Sequence, residues 1–149
     1  MKPTQTSRKI LVPCDGSKPS ANALTKAAEF TSADVGASIK QEIILLYALP
    51  YIEVPLPLDE SGMMVAESSQ TKDYIQQMYS YLRGRAFETL QELADKFVSK
   101  DRFAVRVEIL YGSPAEKIIE FAHKEKVDVI VMGNIGLSGV SKLKALGSV

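Results

Sequence analysis

The sequence of 149 residues contains one cysteine, Cys14, so it cannot form an internal disulfide or supply a cysteine-based zinc site by itself. A protein without disulfides is suited to a reducing compartment. The longest apolar run begins at residue 43, is interrupted by Pro50, and is far too short to cross a membrane. Residues 1–9 lack the apolar stretch of a signal peptide. We therefore expect a cytoplasmic protein with no membrane partner.

The sequence also lacks net charge, because 18 lysines and arginines balance 18 aspartates and glutamates. No block of like charge occurs, so nothing favours long-range attraction to nucleic acid, and we expect no nucleic-acid partner. The hydrophobic fraction of 46% and the charged fraction of 24% are typical of a soluble globular domain. The length fits one domain, which we assign to residues 1–149.

Buried strands and amphipathic helices alternate along the chain. Short continuous apolar runs predict strands buried on both faces, and apolar residues spaced by three and four predict helices. The third strand alternates apolar and polar residues, which indicates an edge strand. This order predicts an α/β fold with an open, doubly wound parallel sheet and helices on both faces. Strands are predicted at residues 9–14, 42–48, 103–110 and 127–132, and helices at residues 18–33, 70–99 and 114–126.

Local signals refine two of the helices and one connection. Ser113, Pro114 and Glu116 predict a helix start with a capping box, in which the serine and the glutamate cap each other's backbone amides. Gly84 is the one weak point of the long second helix. The proline-rich segment at residues 50–68 is long for a compact domain, and it is interpreted as a cover over a site, a partner-binding segment or a simple crossover.

Ligands of parallel α/β sheets bind beyond the carboxyl ends of the strands, where the strand order reverses. This rule selects four segments as candidates for a ligand site. They are residues 13–15, 47–48, 111–112 and 132–133.

A glycine-rich segment follows the fourth predicted strand and contains Gly133, Gly136 and Gly139, with Gly147 and Ser148 further on. Glycines let backbone amides approach a phosphate closely, although an ordinary strand-to-helix turn has the same composition. The Walker A pattern is absent from the sequence, and so is the dinucleotide-binding Gly-x-Gly-x-x-Gly after the first strand.

Five short motifs in this order resemble the universal stress protein family. They are Lys-Ile-Leu-Val-Pro-Cys-Asp-Gly-Ser, Gly-Ser-Pro-Ala-Glu, Val-Asp-Val-Ile-Val-Met-Gly, Gly-Leu-Ser-Gly and Leu-Gly-Ser-Val, at residues 9–17, 112–116, 127–133, 136–139 and 146–149. The resemblance implies a five-stranded parallel sheet of the adenine-nucleotide-binding type, usually paired as a homodimer. Since the family continues through a helix and a final strand after the last motif, we expect that strand to be missing and the sequence to be part of a longer protein.

The resemblance also implies a binding site for ATP, with or without Mg²⁺. Nucleotide-binding members carry Gly-x-x-Gly followed by Gly-Ser or Gly-Thr. Ten residues separate Gly136 from Gly147 here, one more than the usual family spacing. By the same resemblance an acidic residue lies beside the adenine, small and apolar residues line the base pocket, and a strand-end pair lies beside the ribose and phosphates. The implied nucleotide-binding residues are Pro13, Asp15, Ala48, Met132, Gly133, Gly136, Gly147 and Ser148.

Catalytic patterns are absent from the sequence. No Ser-His-Asp order, metal-ligand spacing or carboxylate pair stands out, His123 is expected on the surface, and Cys14 is expected to be a small buried apolar residue. We therefore interpret the chain as an ATP-binding stress-response or signalling protein with slow or no hydrolysis and no dedicated catalytic activity. Two alternatives stay open: a family member that works only as a dimeric interaction partner, and an enzyme of the wider adenine nucleotide α-hydrolase-like group, whose signature motifs are missing.

Overall fold

The computed structural model describes residues 8–33, 41–51, 58, 60–62 and 69–134. Strands and helices alternate within these residues, which confirms the predicted α/β class. Apart from the fourth strand, the elements begin and end within a few residues of their predicted limits. They are β1 (Arg8–Pro13), α1 (Lys18–Ala33), β2 (Gln41–Leu49), α2 (Ser69–Phe97), β3 (Phe103–Tyr111), α3 (Pro114–Glu125) and β4 (Val129–Ile130).

The four strands form one parallel sheet in the order β3-β2-β1-β4. The register of β1 on β2 runs from Arg8 opposite Gln41 to Pro13 opposite Leu46. From β1 the chain moves outward through β2 to β3, and it then returns to the other side of β1 to form β4. The strand order therefore reverses between β1 and β4. Among the described residues β3 is an edge strand, as predicted.

Apolar side chains on both faces of the sheet hold the helices in place. Neighbouring residues of a strand point to opposite faces, so β1 contributes to two separate cores. Ile10 and Val12 pack in the core that α1 and α2 cover, with Leu24 and Leu90. Leu11 packs on the opposite face, in a smaller core that α3 covers. Helices on both faces confirm the doubly wound arrangement.

The fourth strand is shorter and more exposed than predicted. Only Val129 and Ile130 pair with β1, although the amide of Val131 also donates a hydrogen bond to the carbonyl oxygen of Leu11 at 2.9 Å. Ile130 is 42% exposed and Met132 is 58% exposed. The prediction of a buried strand was wrong for this part of the chain, because β1 is the one strand that pairs with β4 among the described residues. The expected final strand would follow residue 149, so its lack stays a prediction.

The predicted capping box at the start of α3 is wrong. Ser113 is extended, with φ −61° and ψ 123°, and its side chain makes no capping hydrogen bond. Because Ser113 is exposed, water can satisfy the free amides of this first turn. At the other end of α3, Lys126 adopts the left-handed conformation with φ 53°, and the amide of Val127 donates to the carbonyl oxygen of Ala122 at 2.9 Å.

A cluster of charged side chains joins the end of α3 to the sheet. The guanidinium of Arg106 on β3 donates to both carboxylate oxygens of Glu125, at 3.0 and 3.2 Å, and to Glu108 at 2.7 Å. Lys9 of β1 donates to the carbonyl oxygen of Glu125 at 3.0 Å. The hydrogen bonds from Arg106 lower the pKa of Glu125. This cluster joins the last turn of α3 to β1 and β3.

Candidate functional site

A cleft of about 450 Å³ opens beyond the carboxyl ends of β1, β2 and β4. It lies where the strand order reverses, the position that the sequence rule selects for a ligand. Of the four candidate segments, the ends of β1, β2 and β4 contribute to it. Tyr111 and Gly112 do not line it, because β2 stands between β3 and β1.

Five of the eight predicted site residues line this cleft. Pro13 is the last residue of β1 and Asp15 follows it, Ala48 lies near the end of β2, and Met132 and Gly133 follow β4. The topology thus brings together residues from positions 13 to 133 of the chain. Gly136, Gly147 and Ser148 lie outside the described residues.

The Asp-Gly-Ser sequence after β1 forms a tight turn at the edge of the cleft. The Oδ1 atom of Asp15 accepts a hydrogen bond from the amide of Ser17 at 2.9 Å. Gly16 has φ +81°, a conformation that glycine adopts without strain. Ser17 then caps α1, because its Oγ accepts the amide of Ser20 at 3.3 Å. This turn holds the Asp15 carboxylate in the cleft and begins α1 directly behind it.

Cys14 and Tyr47 complete the wall between β1 and β2. The Cys14 amide donates to the carbonyl oxygen of Leu46 at 2.8 Å, and its thiol donates to the carbonyl oxygen of Val12 at 3.4 Å. Burial, with the nearby Asp15 carboxylate, raises the pKa of Cys14 to about 12, and the same two causes raise the pKa of Tyr47. The thiol is therefore neutral near pH 7. Cys14 is 3% exposed, which confirms the prediction of a small buried residue.

The described lining of the cleft is neutral except for one carboxylate. Asp15 is the one charged side chain among the described residues that line it, and no lysine, arginine or histidine does so in that part of the chain. In addition, the described residues hold no group of three or more His, Cys, Asp or Glu side chains arranged for a metal ion. The described part of the cleft therefore suits the uncharged portion of a ligand, and phosphates need donors from elsewhere.

Gly133 occupies a place where no side chain fits. A Cβ atom there would lie 2.8 Å from the carbonyl oxygen of Pro19 and 2.9 Å from its carbonyl carbon. Real Cβ contacts this short are essentially absent from proteins, and a backbone carbonyl cannot rotate aside as a long side chain can. Gly133 thus lets the end of β4 press against the first turn of α1, and this contact closes one side of the cleft.

Several residues that line the cleft were not predicted from the sequence. Pro114 and Ile118 from the first turns of α3 form the wall on the opposite face, and Ser17 before α1 and Ser20 within it also line the cleft. The helix starts carry a usable signal, because a helix that follows a parallel strand begins near the carboxyl ends of the sheet. His123 is exposed, as predicted, and lies outside the cleft.

The prediction of a cover or partner-binding role for residues 50–68 cannot be followed beyond its described parts, since residues 52–57, 59 and 63–68 lie outside them. Pro50 lines the cleft. None of the helices in the described ranges has the length and apolar character needed to span a membrane.

Comparisons with known sequences all match the same family. The sequence profile of the universal stress protein family matches residues 6–149. A universal stress protein of Methanocaldococcus jannaschii is 29% identical over 145 residues, which cover 95% of this chain and 72% of the relative. A universal stress protein of Mycobacterium tuberculosis is 27% identical over 142 residues, covering 94% of this chain and 84% of the relative.

Solved structures share the fold. A universal stress protein from Lactobacillus plantarum superimposes with a TM-score of 0.66 at 20% identity, covering 95% of this chain and 86% of the other. A universal stress protein in complex with cAMP gives a TM-score of 0.53 at 23% identity, covering 95% of this chain and 82% of the other. At these identities, the likeness establishes the α/β architecture of the chain.

Proposed function

Since this chain belongs to the universal stress protein family, we propose that it is a stress-response or signalling protein that binds ATP in the cleft beyond β1, β2 and β4. The observation that carries this proposal is the convergence of five predicted contact residues on one cleft at the strand-order reversal. The complex of a structural relative with cAMP supports an adenine nucleotide as the ligand class.

The adenine and ribose suit the described part of the cleft. Ala48, Ile118 and Met132 offer apolar surface to a flat ring, and the Asp15 carboxylate offers acceptor oxygens for an amino or hydroxyl group. The volume of about 450 Å³ lies within the common range of small-molecule sites. A base bound here would lie between the sheet end and the first turns of α3.

The triphosphate is expected to extend past Gly133 toward Gly136, Gly147 and Ser148. No cation among the described residues lines the cleft, so backbone amides of the glycine segment are the natural phosphate donors. A Mg²⁺ ion, if bound, would be held mainly by phosphate oxygens and water, since magnesium sites commonly use only one or two carboxylates. Asp15 is the one carboxylate available for that purpose among the described cleft residues.

Isothermal titration calorimetry with ATP and adenosine tests the proposal. We expect an ATP affinity of about 1 μM, near −8 kcal/mol. Gly136→Val should abolish ATP binding, because a β-branched side chain occupies the space of the phosphate and disfavours positive φ. Asp15→Asn should weaken the binding of both ATP and adenosine. Asp101→Asn, an exposed control in the turn before β3, should bind both ligands as the wild type does.

Two results would contradict the proposal. An unchanged ATP affinity in Gly136→Val would show that the phosphates lie elsewhere. Absence of binding by the wild type up to millimolar ATP would leave the dimeric interaction partner as the better interpretation.

A homodimer and a cytoplasmic location belong to the same proposal. The resemblance that implies the nucleotide site also implies pairing of two copies. Analytical ultracentrifugation checks the dimer, and a monomer at all concentrations would contradict it. Cell fractionation checks the location, which we expect to be the cytoplasmic fraction.

A further inference from the structure

A second groove, which we name the tyrosine groove, lies between the first half of α2 and the ends of β2 and β3. Its volume is about 670 Å³. Among the described residues, it shares no lining residue with the strand-end cleft. The residues that characterise it are Tyr51, Lys72, Ile75, Tyr79, Arg83 and Tyr111.

The groove is built from one stripe of a helix and two strand ends. Lys72, Ile75, Tyr79 and Arg83 follow one another at intervals of three and four, so they lie on one face of α2. The ring of Tyr79 meets the ring of Tyr111, the last residue of β3, edge to face with centroids 5.2 Å apart. This geometry is favourable for aromatic pairs and holds both rings in place.

Tyr51 supplies the opposite wall and is unusually exposed. It lies two residues after the end of β2 and is 68% exposed. Large exposed aromatic side chains are common at binding surfaces, because they offer wide contact area with few rotatable bonds. Three tyrosines and Ile75 thus give the groove a mainly apolar lining that suits a flat ring.

The charged residues that line the groove favour a negatively charged ligand. Arg83 and Lys72 line it, and no carboxylate of the described residues does so. Arg83 lies one helical turn from Tyr79, so its guanidinium can reach an acidic group on a ring that stacks there. A guanidinium binds a carboxylate through two parallel hydrogen bonds.

From these features, we propose that the tyrosine groove binds a small aromatic carboxylate. The ring lies against Tyr51, Tyr79 and Tyr111, and the carboxylate pairs with Arg83. The groove volume of about 670 Å³ is within the range of small-ligand sites. This site is separate from the nucleotide cleft, and the proposal does not depend on nucleotide binding.

Titration of the full chain with 1-naphthaleneacetate, followed by calorimetry, tests the ligand class. The neutral 1-naphthaleneacetamide is the matched ligand, since it keeps the ring and removes the charge. We expect the acid to bind at least about tenfold more tightly than the amide, the ratio typical for loss of one charged hydrogen-bonded contact. Equal affinities, or absence of binding by the acid, would overturn the proposal.

Paired variants then locate the bound probe. Tyr51→Ala and Arg83→Gln should each weaken naphthaleneacetate binding by about tenfold. The matched controls are Tyr81→Ala, at a tyrosine that is 64% exposed on α2, and Arg85→Gln on the same helix. Neither control residue lines the groove, so their affinities should stay within about twofold of the wild type. Equal losses in variants and controls would contradict the assignment.

Competition with ATP separates the two cavities. Saturating ATP should leave the naphthaleneacetate affinity unchanged if the probe occupies the tyrosine groove. Displacement of the probe by ATP would place it in the nucleotide cleft and overturn this proposal. Sedimentation of Tyr51→Ala adds a last check, because a change in oligomeric state without a change in probe affinity would identify the groove as a contact between copies instead.

Discussion

The contact between Gly133 and Pro19 gives a prediction with a definite sign. Replacing Gly133 by alanine places a methyl group 2.8 Å from the carbonyl oxygen of Pro19 and 2.9 Å from both its carbonyl carbon and its Cβ. All three atoms belong to a proline in the first turn of α1, where the ring and the helical hydrogen bonds prevent local adjustment. The methyl group therefore has to push the end of β4 away from the helix.

The magnitude follows from how easily β4 can move. Overpacking of a well-packed site typically costs about 1–3 kcal/mol. Since β4 pairs with β1 over only two residues, part of the strain can be relieved by a small shift, and we expect a loss of about 1–2 kcal/mol in the free energy of unfolding. For a protein of this length, such a loss lowers the melting temperature by about 2–8 °C.

Urea denaturation of the wild type and two glycine-to-alanine variants is the assay. Gly84→Ala is the matched control, because Gly84 is exposed within α2 and a Cβ there meets nothing within 4 Å. Alanine in the interior of a helix is favoured over glycine by about 0.5–1 kcal/mol. The same substitution should thus destabilise the protein at one position and stabilise it at the other.

One pattern of results would refute this reasoning. If Gly84→Ala gains stability as expected while Gly133→Ala equals or exceeds the wild type, the end of β4 does not press against the first turn of α1. The description of this contact as one closed side of the cleft would then be wrong as well.

Three further predictions concern α3 and turnover. Lys126→Gly should raise the free energy of unfolding by about 0.5–1 kcal/mol, because glycine adopts the left-handed conformation without strain, and a loss in urea denaturation would contradict this. Arg106 lowers the pKa of Glu125 from its ordinary value of 4.5. The ionised Glu125 therefore stabilises the folded protein above pH 4.5, and this contribution is lost as the pH falls below that value. Acid unfolding of Glu125→Gln should therefore begin from a lower stability and show a shallower pH dependence than the wild type, and parallel curves would argue against the cluster. ATP turnover should stay below about 1 per second after contaminating ATPases are removed, since no general base lines the described cleft beyond Asp15, and sustained faster turnover would indicate an enzyme.

The sequence predicted the order of the elements and the location of the cleft because both depend on local patterns. The runs that form β1 and β2 are apolar throughout, and such runs are buried wherever helices cover both faces of a sheet. The carboxyl ends of parallel strands necessarily meet at one edge, so Asp15, Ala48 and Met132 were expected to lie together. Their convergence required no knowledge of side-chain packing.

Features that depend on distant neighbours were not predictable in the same way. The exposure of Ile130 follows from how little of the described chain covers β4. The close approach of Gly133 to Pro19 joins residues far apart in the sequence, and glycine there was interpreted only as a phosphate contact. The hydrogen bonds between Arg106 and Glu125 also required the register of β3 and the end of α3 to be known.

The strand β1, near the start of the described chain, pairs with β4, near its end. The cleft therefore needs both ends of the described chain. The amide of Lys9 donates to the Oδ2 atom of Asp128, 119 positions later, at 2.7 Å, and the pairing of β1 with β4 brings Met132 and Gly133 to the cleft. Closing so long a loop is entropically unfavourable. A partially synthesised chain that lacks β4 therefore lacks one wall of the cleft. A ligand held between the two ends would stabilise the finished sheet selectively, by about 2.7 kcal/mol at a hundredfold excess over its dissociation constant, so occupancy would report that folding is complete.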